Sequence, residues 1–300
     1  MPLKKTLYFI VNPISGARKN DNFRAIVKDN LDHDKYDYQY HETQRRGHAS
    51  ELASYAKDNN IDIVVACGGD GTVNEVASAI QFSDTALAII PRGSGNGFAM
   101  HIGMGRDSKK AILKLNEAIP KCIDTCTVND IFFINLAGIG FDALVAHKID
   151  TSTERGFKLY LNTISSEIVK YKAENFKIQL DDEVIDGKYN IIAIANAAMY
   201  GYNFNIAPTA KLSDGMLDVV LIKDAPLIRT LASSWRMLNN TLDKSALVEI
   251  KKTSEAIISL DKPYYYHIDG ESKAFNEALH FKIVPQSLHI MLPEERFSEV

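Results

Sequence analysis

The sequence has 300 residues, 46% of them hydrophobic, and a formal net charge of −4. A chain of this length can form two hydrophobic cores. Its net negative charge is unlike the clustered positive charge of a nucleic-acid-binding protein. The three cysteines form neither an even disulfide framework nor a spaced zinc set, and no stretch approaches the roughly eighteen apolar residues of a membrane span. We therefore expect a cytoplasmic protein without a nucleic-acid partner, whose contact with membranes is peripheral, at the inner membrane face.

Residues 1–120 alternate short β-type runs with amphipathic helical segments, an order typical of a parallel sheet covered by helices. The predicted strands are 7–12, 36–42, 61–67 and 86–91. The predicted helices are 20–30, 47–59 and 72–80. This pattern predicts a doubly wound α/β domain over residues 1–120.

Glycine-rich segments follow the third and fourth predicted strands. Segment 68–75 reads GGDGTVNE and segment 91–98 reads PRGSGNGF, and each leads into a helical pattern. Glycine lets the main chain approach a ligand closely, and a following helix directs its positive end at the same place. Two such turns predict a nucleotide site, although Thr72 and Glu75 alone also fit a simple helix capping box.

The first predicted strand ends differently. It is followed by Asn12-Pro13-Ile14-Ser15-Gly16, which is neither a dinucleotide-binding fingerprint nor a P-loop with its lysine and hydroxyl pair. This segment disfavours an ordinary NAD-dependent dehydrogenase and a P-loop ATPase.

After residue 120 short strands follow one another with few helices, which predicts an antiparallel sandwich or barrel-like domain. The predicted strands are 130–136, 176–180, 189–195, 217–222, 247–251, 256–260, 264–268 and 278–284, and the predicted helices are 156–171 and 227–237. We assign residues 121–292 to this β-rich domain and expect the tail, 293–300, to return to the first domain.

An ordered set of short segments along the chain resembles the diacylglycerol kinase and sphingosine kinase superfamily of lipid kinases. These segments are 12–16, 68–76, 91–96, 138–143, 207–208, 214–218 and 269–271. The resemblance implies an N-terminal sheet like that of NAD kinases and phosphofructokinases, a C-terminal antiparallel β-sandwich, and an active site in the cleft. It also implies a bacterial enzyme that uses ATP and Mg²⁺ to phosphorylate the primary hydroxyl of diacylglycerol or a related lipid.

The same resemblance assigns roles to individual residues. The implied nucleotide site consists of Asn12, Thr43, Gly68, Gly69, Asp70, Gly71, Thr72, Val73, Asn74 and Ser94. Thr43 has an alternative interpretation as a helix N-cap. The implied magnesium site uses the carboxylate of Asp214 and the carbonyls of Lys211 and Met216, oxygen ligands that suit a hard cation, and its alternative is an ordinary Asp-Gly turn.

Phosphoryl transfer to an alcohol requires a base. Glu271 is our first choice, followed by Asp269 and Asp70, while Asp70 alternatively holds the catalytic magnesium through water. The alternative for Glu271 is a surface turn carrying carboxylates. The histidines at 48, 101 and 267 lack a partner at a recognisable spacing, and we interpret them as surface or satisfied core residues.

The acceptor is less well defined than the nucleotide. Segment 94–97 (SGNG) is closer to the sphingosine kinase variant, so a sphingoid-base kinase is the first alternative to a diacylglycerol kinase. A kinase of a soluble acceptor such as NAD and a catalytically silent nucleotide-binding regulator are the others. The sequence leaves open whether the chain is a monomer or a homodimer.

Overall fold

The computed structural model describes residues 3–16, 22–152, 156–181 and 183–296. The chain divides into two compact units. Unit 1 comprises residues 1–124 and 286–300, and unit 2 comprises residues 125–285. Within the described ranges, no helix is long and apolar enough to cross a membrane.

The described residues form fifteen strands and eight α-helices. The strands are β1 (Lys5–Val11), β2 (Tyr36–Glu42), β3 (Ile63–Gly68), β4 (Ala86–Pro91), β5 (Ile119–Val128), β6 (Ile131–Phe133), β7 (Leu136–Gly140), β8 (Glu174–Leu180), β9 (Glu183–Ala195), β10 (Leu217–Lys223), β11 (Val248–Thr253), β12 (Glu255–Ser259), β13 (Tyr264–Ile268), β14 (Glu271–Phe275) and β15 (Leu279–Leu292). The helices are α1 (Phe23–Asn30), α2 (His48–Asp58), α3 (Asp70–Ile80), α4 (Gly97–His101), α5 (Ser108–Leu115), α6 (Phe141–Asp150), α7 (Phe157–Glu167) and α8 (Leu227–Leu238).

Unit 1 is built on a parallel sheet with the strand order β2-β1-β3-β4, and the last part of β15 lies beside β4. Every residue of β3 and β4 is buried, because both strands are continuous apolar runs in the middle of the sheet. The predicted α/β class is confirmed. Residues 20 and 21 of the first predicted helix, and residues 297–300 of the predicted tail, lie outside the described part of the chain.

Unit 2 is an antiparallel assembly in which β9 pairs with β7, β8 and β10. Alternate side chains of β9 enter two different cores. Ile192 and Ile194 belong to the larger one, whereas Ala193 and Ala195 belong to a smaller one on the other face. A strand buried on both faces is expected in the interior of a layered β-fold, and the predicted β-sandwich class is confirmed.

The predicted strand 130–136 is wrong in its extent. The structure divides this segment into β6 and β7, with Ile134 and Asn135 between them. The break occurs because the amides of these two residues donate hydrogen bonds to the carboxylate of Asp269 instead of continuing a strand ladder. Nothing local in the sequence indicates this partner.

Candidate active site

The predicted nucleotide residues of unit 1 lie at the carboxyl edge of its parallel sheet. Val11 at the end of β1 is paired with Glu42 of β2 and Cys67 of β3, and Gly68 of β3 is paired with Pro91 of β4. The segments that follow these four strands therefore emerge at the same edge. Open α/β sheets bind their ligands at this edge.

Three glycine turns at this edge touch through their main chains. A Cβ atom on Gly93 would overlap the Cα of Gly69, and a Cβ on Gly69 would lie 3.2 Å from the Cα of Gly93. The turn after β1 approaches the same place: Gly16 has a φ of +68°, and a Cβ there would overlap the carbonyl oxygen of Arg92. Gly16 and Gly93 require glycine because a Cβ would overlap a neighbouring turn, and a Cβ at Gly69 would crowd the main chain of Gly93. The nucleotide-binding residues assigned by the family resemblance did not include Gly16 or Gly93, although Gly93 belongs to the second predicted glycine turn.

Hydrogen bonds fix the second glycine turn to the first. The amides of Arg92 and Gly93 both donate to the carbonyl of Gly68, at 2.9 and 3.2 Å. The side chain of Asn96 closes the turn by accepting from the Gly93 amide at 2.9 Å and donating to the Gly93 carbonyl at 2.8 Å. Asp70 joins the two segments, because its Oδ1 accepts from the amide of Phe98 at 3.4 Å.

Helix α3 begins at Asp70, directly after the first turn, and aims its positive end at that edge. Val73 is buried, and its amide donates to the carbonyl of Gly69 at 3.1 Å. Thr72 is also buried, and its hydroxyl accepts a hydrogen bond from Asn12 Nδ2 at 3.3 Å. Ser94 is exposed in the second turn, and Thr43 follows β2 at the outer strand of the sheet.

The capping-box interpretation of Thr72 and Glu75 is wrong. Helix α3 has Gly69 as its N-cap, without a side-chain cap bond, so Thr72 lies inside the first turn. The Glu75 carboxylate instead accepts from the amides of Gly47 and Ala49, at 3.0 and 3.2 Å, at the start of α2. Gly47 is the N-cap of α2, so the alternative interpretation of Thr43 as an N-cap is also wrong.

In unit 2, the proposed bases lie in a tight hairpin between β13 and β14. Asp269 and Gly270 form its two-residue turn, with φ values of 48° and 89°. The Asp269 carboxylate accepts from three amides, those of Ile134, Asn135 and Leu136, at 3.0 to 3.1 Å. These three bonds hold the Asp269 carboxylate against the segment that joins β6 to β7. Glu271 begins β14 and is partly exposed.

The predicted magnesium turn of unit 2 contains a lysine partner that the sequence pattern did not indicate. Asp214 Oδ1 accepts from the Met216 amide at 3.1 Å, and Asp214 Oδ2 accepts from Lys252 Nζ at 2.6 Å. Lys252 also lies 3.1 Å from the buried carboxylate of Asp218, whose pKa burial raises. Carboxylate and carbonyl oxygens are the ligand type that a hard cation prefers. A cation bound here would share the Asp214 carboxylate with the Lys252 ammonium. Nowhere in the described ranges do three His, Cys, Asp or Glu side chains cluster as metal ligands.

A buried polar network in unit 2 was missed in the sequence. Asp142 Oδ2 accepts from the Tyr200 hydroxyl at 2.5 Å and lies 3.1 Å from Nε2 of His267, while Asp142 Oδ1 accepts from the Ala143 amide at 2.8 Å. Burial, and then the charge of Asp142, raise the pKa of Tyr200 well above its ordinary value, so the phenol remains a donor. A Cβ on Gly138 would overlap both Asp142 and His267.

The other two histidines do not join these groups. His101 is 8% exposed, and burial lowers the pKa of its imidazole to about 3, so the ring is neutral at physiological pH. His48 accepts from the Gln44 amide at 3.1 Å near the start of α2. Neither lies at a strand end with the candidate residues.

Unit 1 thus has a parallel sheet with main-chain turns at its carboxyl edge, and an antiparallel β-sandwich follows it in the chain. The diacylglycerol kinase catalytic domain matches residues 6–128, and the YegS C-terminal NAD kinase beta sandwich-like domain matches residues 135–292. The chain therefore belongs to the diacylglycerol kinase family. Membership of a kinase family implies a phosphotransferase that uses ATP.

Named relatives agree with this assignment. The chain is 26% identical to the diacylglycerol kinase of Bacillus subtilis, over 99% of both chains. It is 28% identical to a YegS-like lipid kinase of Chromohalobacter salexigens, over 84% of this chain and 83% of the relative. A solved diacylglycerol kinase from Bacillus anthracis has the same fold, with a TM-score of 0.73 and 17% identity, over 98% of this chain and 99% of that chain.

Proposed function

We propose that this chain is a lipid kinase that uses ATP and Mg²⁺ and transfers the γ-phosphoryl group to the primary hydroxyl of diacylglycerol or of a related lipid. The contact between the glycine turns of unit 1 carries the proposal. At Gly16, Gly69 and Gly93 the main chains lie so close that a Cβ would overlap or crowd a neighbouring turn. A surface made of main chain at a helix N-terminus suits polyphosphate better than a substrate that requires side-chain recognition.

Each unit has its own part in the proposed reaction. In unit 1 the turns hold the nucleotide phosphates, which requires amide donors and no covalent chemistry from the protein. In unit 2 Glu271 accepts the proton of the acceptor hydroxyl as phosphoryl transfer proceeds. Asp269 positions the hairpin that carries Glu271, because its carboxylate is bonded to three amides of the neighbouring segment.

The proposal assigns magnesium to two places. Asp70 would hold the catalytic ion through water, a role that its position at the start of α3 beside the second turn supports. Asp214, with the carbonyls of Lys211 and Met216, would hold a second ion in competition with Lys252. Bound Mg²⁺ neutralises charge on the phosphates.

The proposal is tested by incubating the purified protein with labelled ATP and Mg²⁺ against separate acceptors in detergent micelles. The panel contains diacylglycerol, monoacylglycerol, ceramide, a sphingoid base and, in buffer, NAD. We expect labelled phosphatidic acid from diacylglycerol. If only the sphingoid base or only NAD were labelled, that molecule would be the acceptor in place of diacylglycerol. If no acceptor were labelled, the proposed kinase activity would be contradicted.

Replacing Gly93 by alanine should disrupt the phosphate turns. The added methyl group would overlap the Gly69 main chain, so the two turns must separate. At least one amide would then no longer point at the bound phosphate. We expect ATP affinity to fall roughly tenfold or more, as expected when one hydrogen bond to a charged group is lost. The measurement is calorimetric titration with a non-hydrolysable ATP analogue.

Gly105→Ala is the control for Gly93→Ala. Gly105 lies in the same unit, and a Cβ there meets nothing within 4 Å, although its φ of +77° adds backbone strain that Gly93, whose φ is not positive, does not share. Its alanine variant reports the effect of an added methyl group and of backbone strain in unit 1 without overlap between turns. Equal ATP affinity in Gly93→Ala and in the unmodified protein would contradict the phosphate role of this contact.

Replacing Asp269 by asparagine should destabilise unit 2. Asparagine keeps one acceptor oxygen, but its NH₂ group would face the amide that now donates to the second oxygen. We expect the free energy of unfolding to fall by about 3 kcal/mol, the cost of an unsatisfied buried donor and a lost charge-assisted bond. The measurement is urea unfolding, with the exposed Asp261→Asn as control, and unchanged stability would contradict the anchoring role.

A further inference from the structure

Helix α8 presents an apolar face to solvent. Ile228 is 82% exposed, Leu231 is 46% exposed and Trp235 is 68% exposed. Leu227 and Leu238 at the two ends of the helix are 39% and 37% exposed. The spacing of these five residues places them along one stripe of the helix, which we call the α8 stripe.

The inward side of α8 is small and polar. Ser233 is the buried residue of the helix, and its hydroxyl is 2.8 Å from that of Ser245. Thr230 donates to the carbonyl of Ala225 at 3.3 Å, and Met237 packs against the smaller core of unit 2. The helix is therefore inverted relative to the surface helices of globular proteins, which bury their apolar side.

The charges on α8 are all positive. The helix contains Arg229 and Arg236, both exposed, and no acidic residue, and Asp224 and Asp243 lie beyond its ends. With 3.6 residues per turn, both arginines lie on one side of the α8 stripe, between it and the inward side of the helix. An apolar stripe that contains tryptophan, on a helix whose charges are all positive, has the composition of helices that lie in the surface of an anionic bilayer. Tryptophan in particular favours the boundary between headgroups and acyl chains.

We propose that the α8 stripe docks on an anionic lipid surface. The positive charge of the helix complements acidic headgroups. A second copy of the chain fits less well: the stripe is roughly 18 Å long and 10 Å wide, whereas a stable interface buries about 800 Å² on each partner. A two-fold contact between two α8 helices would also bring arginines of like charge together. The choice of a lipid partner draws on the proposed function, but the exposure of the stripe does not.

The fluorescence of Trp235 tests this proposal, because Trp235 is the only tryptophan of the chain. The full chain is mixed with phosphatidylcholine vesicles that contain or lack phosphatidylglycerol and contain no diacylglycerol. We expect a blue shift and co-sedimentation with the anionic vesicles, both reduced by salt. Absence of both would overturn the proposal.

Ile228→Ser supplies the matched variant. We expect it to weaken co-sedimentation roughly tenfold, as expected from the loss of one inserted side chain. Thermal stability should not fall, because Ile228 is 82% exposed. Val169→Ser is the control, since Val169 is 68% exposed in unit 2 outside α8. Equal vesicle binding by the two variants would overturn the assignment of the stripe.

Two further measurements separate this proposal from its competitors. Phosphorylation of short-chain diacylglycerol in detergent micelles should be equal in Ile228→Ser and the unmodified protein. Docking without any kinase activity would support the stripe and contradict the proposed function, whereas kinase activity without docking would overturn the stripe alone. Self-association would give a blue shift that increases with protein concentration in the absence of vesicles. It would also give a dimer in sedimentation that Ile228→Ser abolishes. Both results together would identify the stripe as an interface between two copies and overturn the lipid proposal.

Discussion

Glu271→Gln is expected to lower kcat for diacylglycerol by about 10²–10⁴. Glutamine has nearly the same shape as glutamate but cannot accept the hydroxyl proton. Because the proposed phosphate site uses the turns after β1, β3 and β4 and not the Glu271 carboxylate, the Kd for ATP should remain unchanged. The measurement pairs steady-state kinetics with calorimetric titration of a non-hydrolysable ATP analogue.

Glu277→Gln is the control for Glu271→Gln. Glu277 is exposed and follows the same strand, β14, in the chain, so its substitution reports a general change of charge in this region. Undiminished kcat in Glu271→Gln would remove Glu271 from the role of base. Asp269→Asn would then be examined at a temperature where the variant remains folded, because Asp269 is the next carboxylate of the hairpin.

Asp70→Asn is expected to lower kcat by on the order of 10²–10³, as expected from loss of a group that stabilises transition-state charge. Nucleotide affinity in the presence of Mg²⁺ should also fall. Asparagine keeps an acceptor oxygen for the Phe98 amide, which now donates to Asp70 Oδ1 at 3.4 Å. The fold of the two turns should therefore persist, and circular dichroism and the thermal midpoint should be unchanged.

The exposed Asp84→Asn, also in unit 1, controls for the loss of one negative charge. Comparison of ATP affinity with and without Mg²⁺ separates the two roles considered for Asp70. A loss of affinity confined to Mg²⁺ supports a metal-holding role, whereas equal losses in both conditions support a structural role. Normal kcat and affinity would contradict the placement of Asp70 at the site.

Local patterns predicted much of the fold. The observed bounds of β2, β4 and β13 equal the predicted ones. β4 and β13 are runs of mainly apolar or aromatic residues, and β2 alternates tyrosine with polar residues, so each has a clear strand pattern. The hairpin after β13 could also have been predicted from the sequence, since Asp269-Gly270 is a strong signal for a two-residue hairpin turn. That signal predicts the strand β14, which the sequence-based interpretation omitted.

Helices α5 and α6 were not predicted, and α4 was predicted only as a helical pattern after segment 91–98, without bounds. Helices α4 and α6 begin at glycine-containing segments that the sequence analysis interpreted as parts of a binding site or family motif. The two helices are only 5 and 10 residues long. Short helices beside glycine have weak local signals, since their formation depends on tertiary packing more than on propensity. Phe98 and Phe141, the large apolar side chains of these two starts, are both buried.

The remaining features depend on contacts between distant parts of the chain. Asp269 reaches amides about 134 residues away, and His267 meets Asp142 at a separation of 125 residues. The overlap that makes glycine necessary at position 16 involves Arg92. A single sequence contains no local signal for such distant pairs. The residue types were enough to predict a phosphate site, but the structure was needed to find which turns are in contact.

Hydrogen exchange by mass spectrometry tests the central claim most directly, because it locates the nucleotide without a mutation. The full chain is labelled with and without a saturating Mg²⁺ complex of a non-hydrolysable ATP analogue. We expect slower exchange in peptides that cover the turns after β1, β3 and β4, residues 12–16, 68–74 and 92–97, because bound phosphate accepts from amides of these turns and restrains their opening. Unchanged exchange in all three turns, while calorimetry shows that the analogue is bound, would contradict the account.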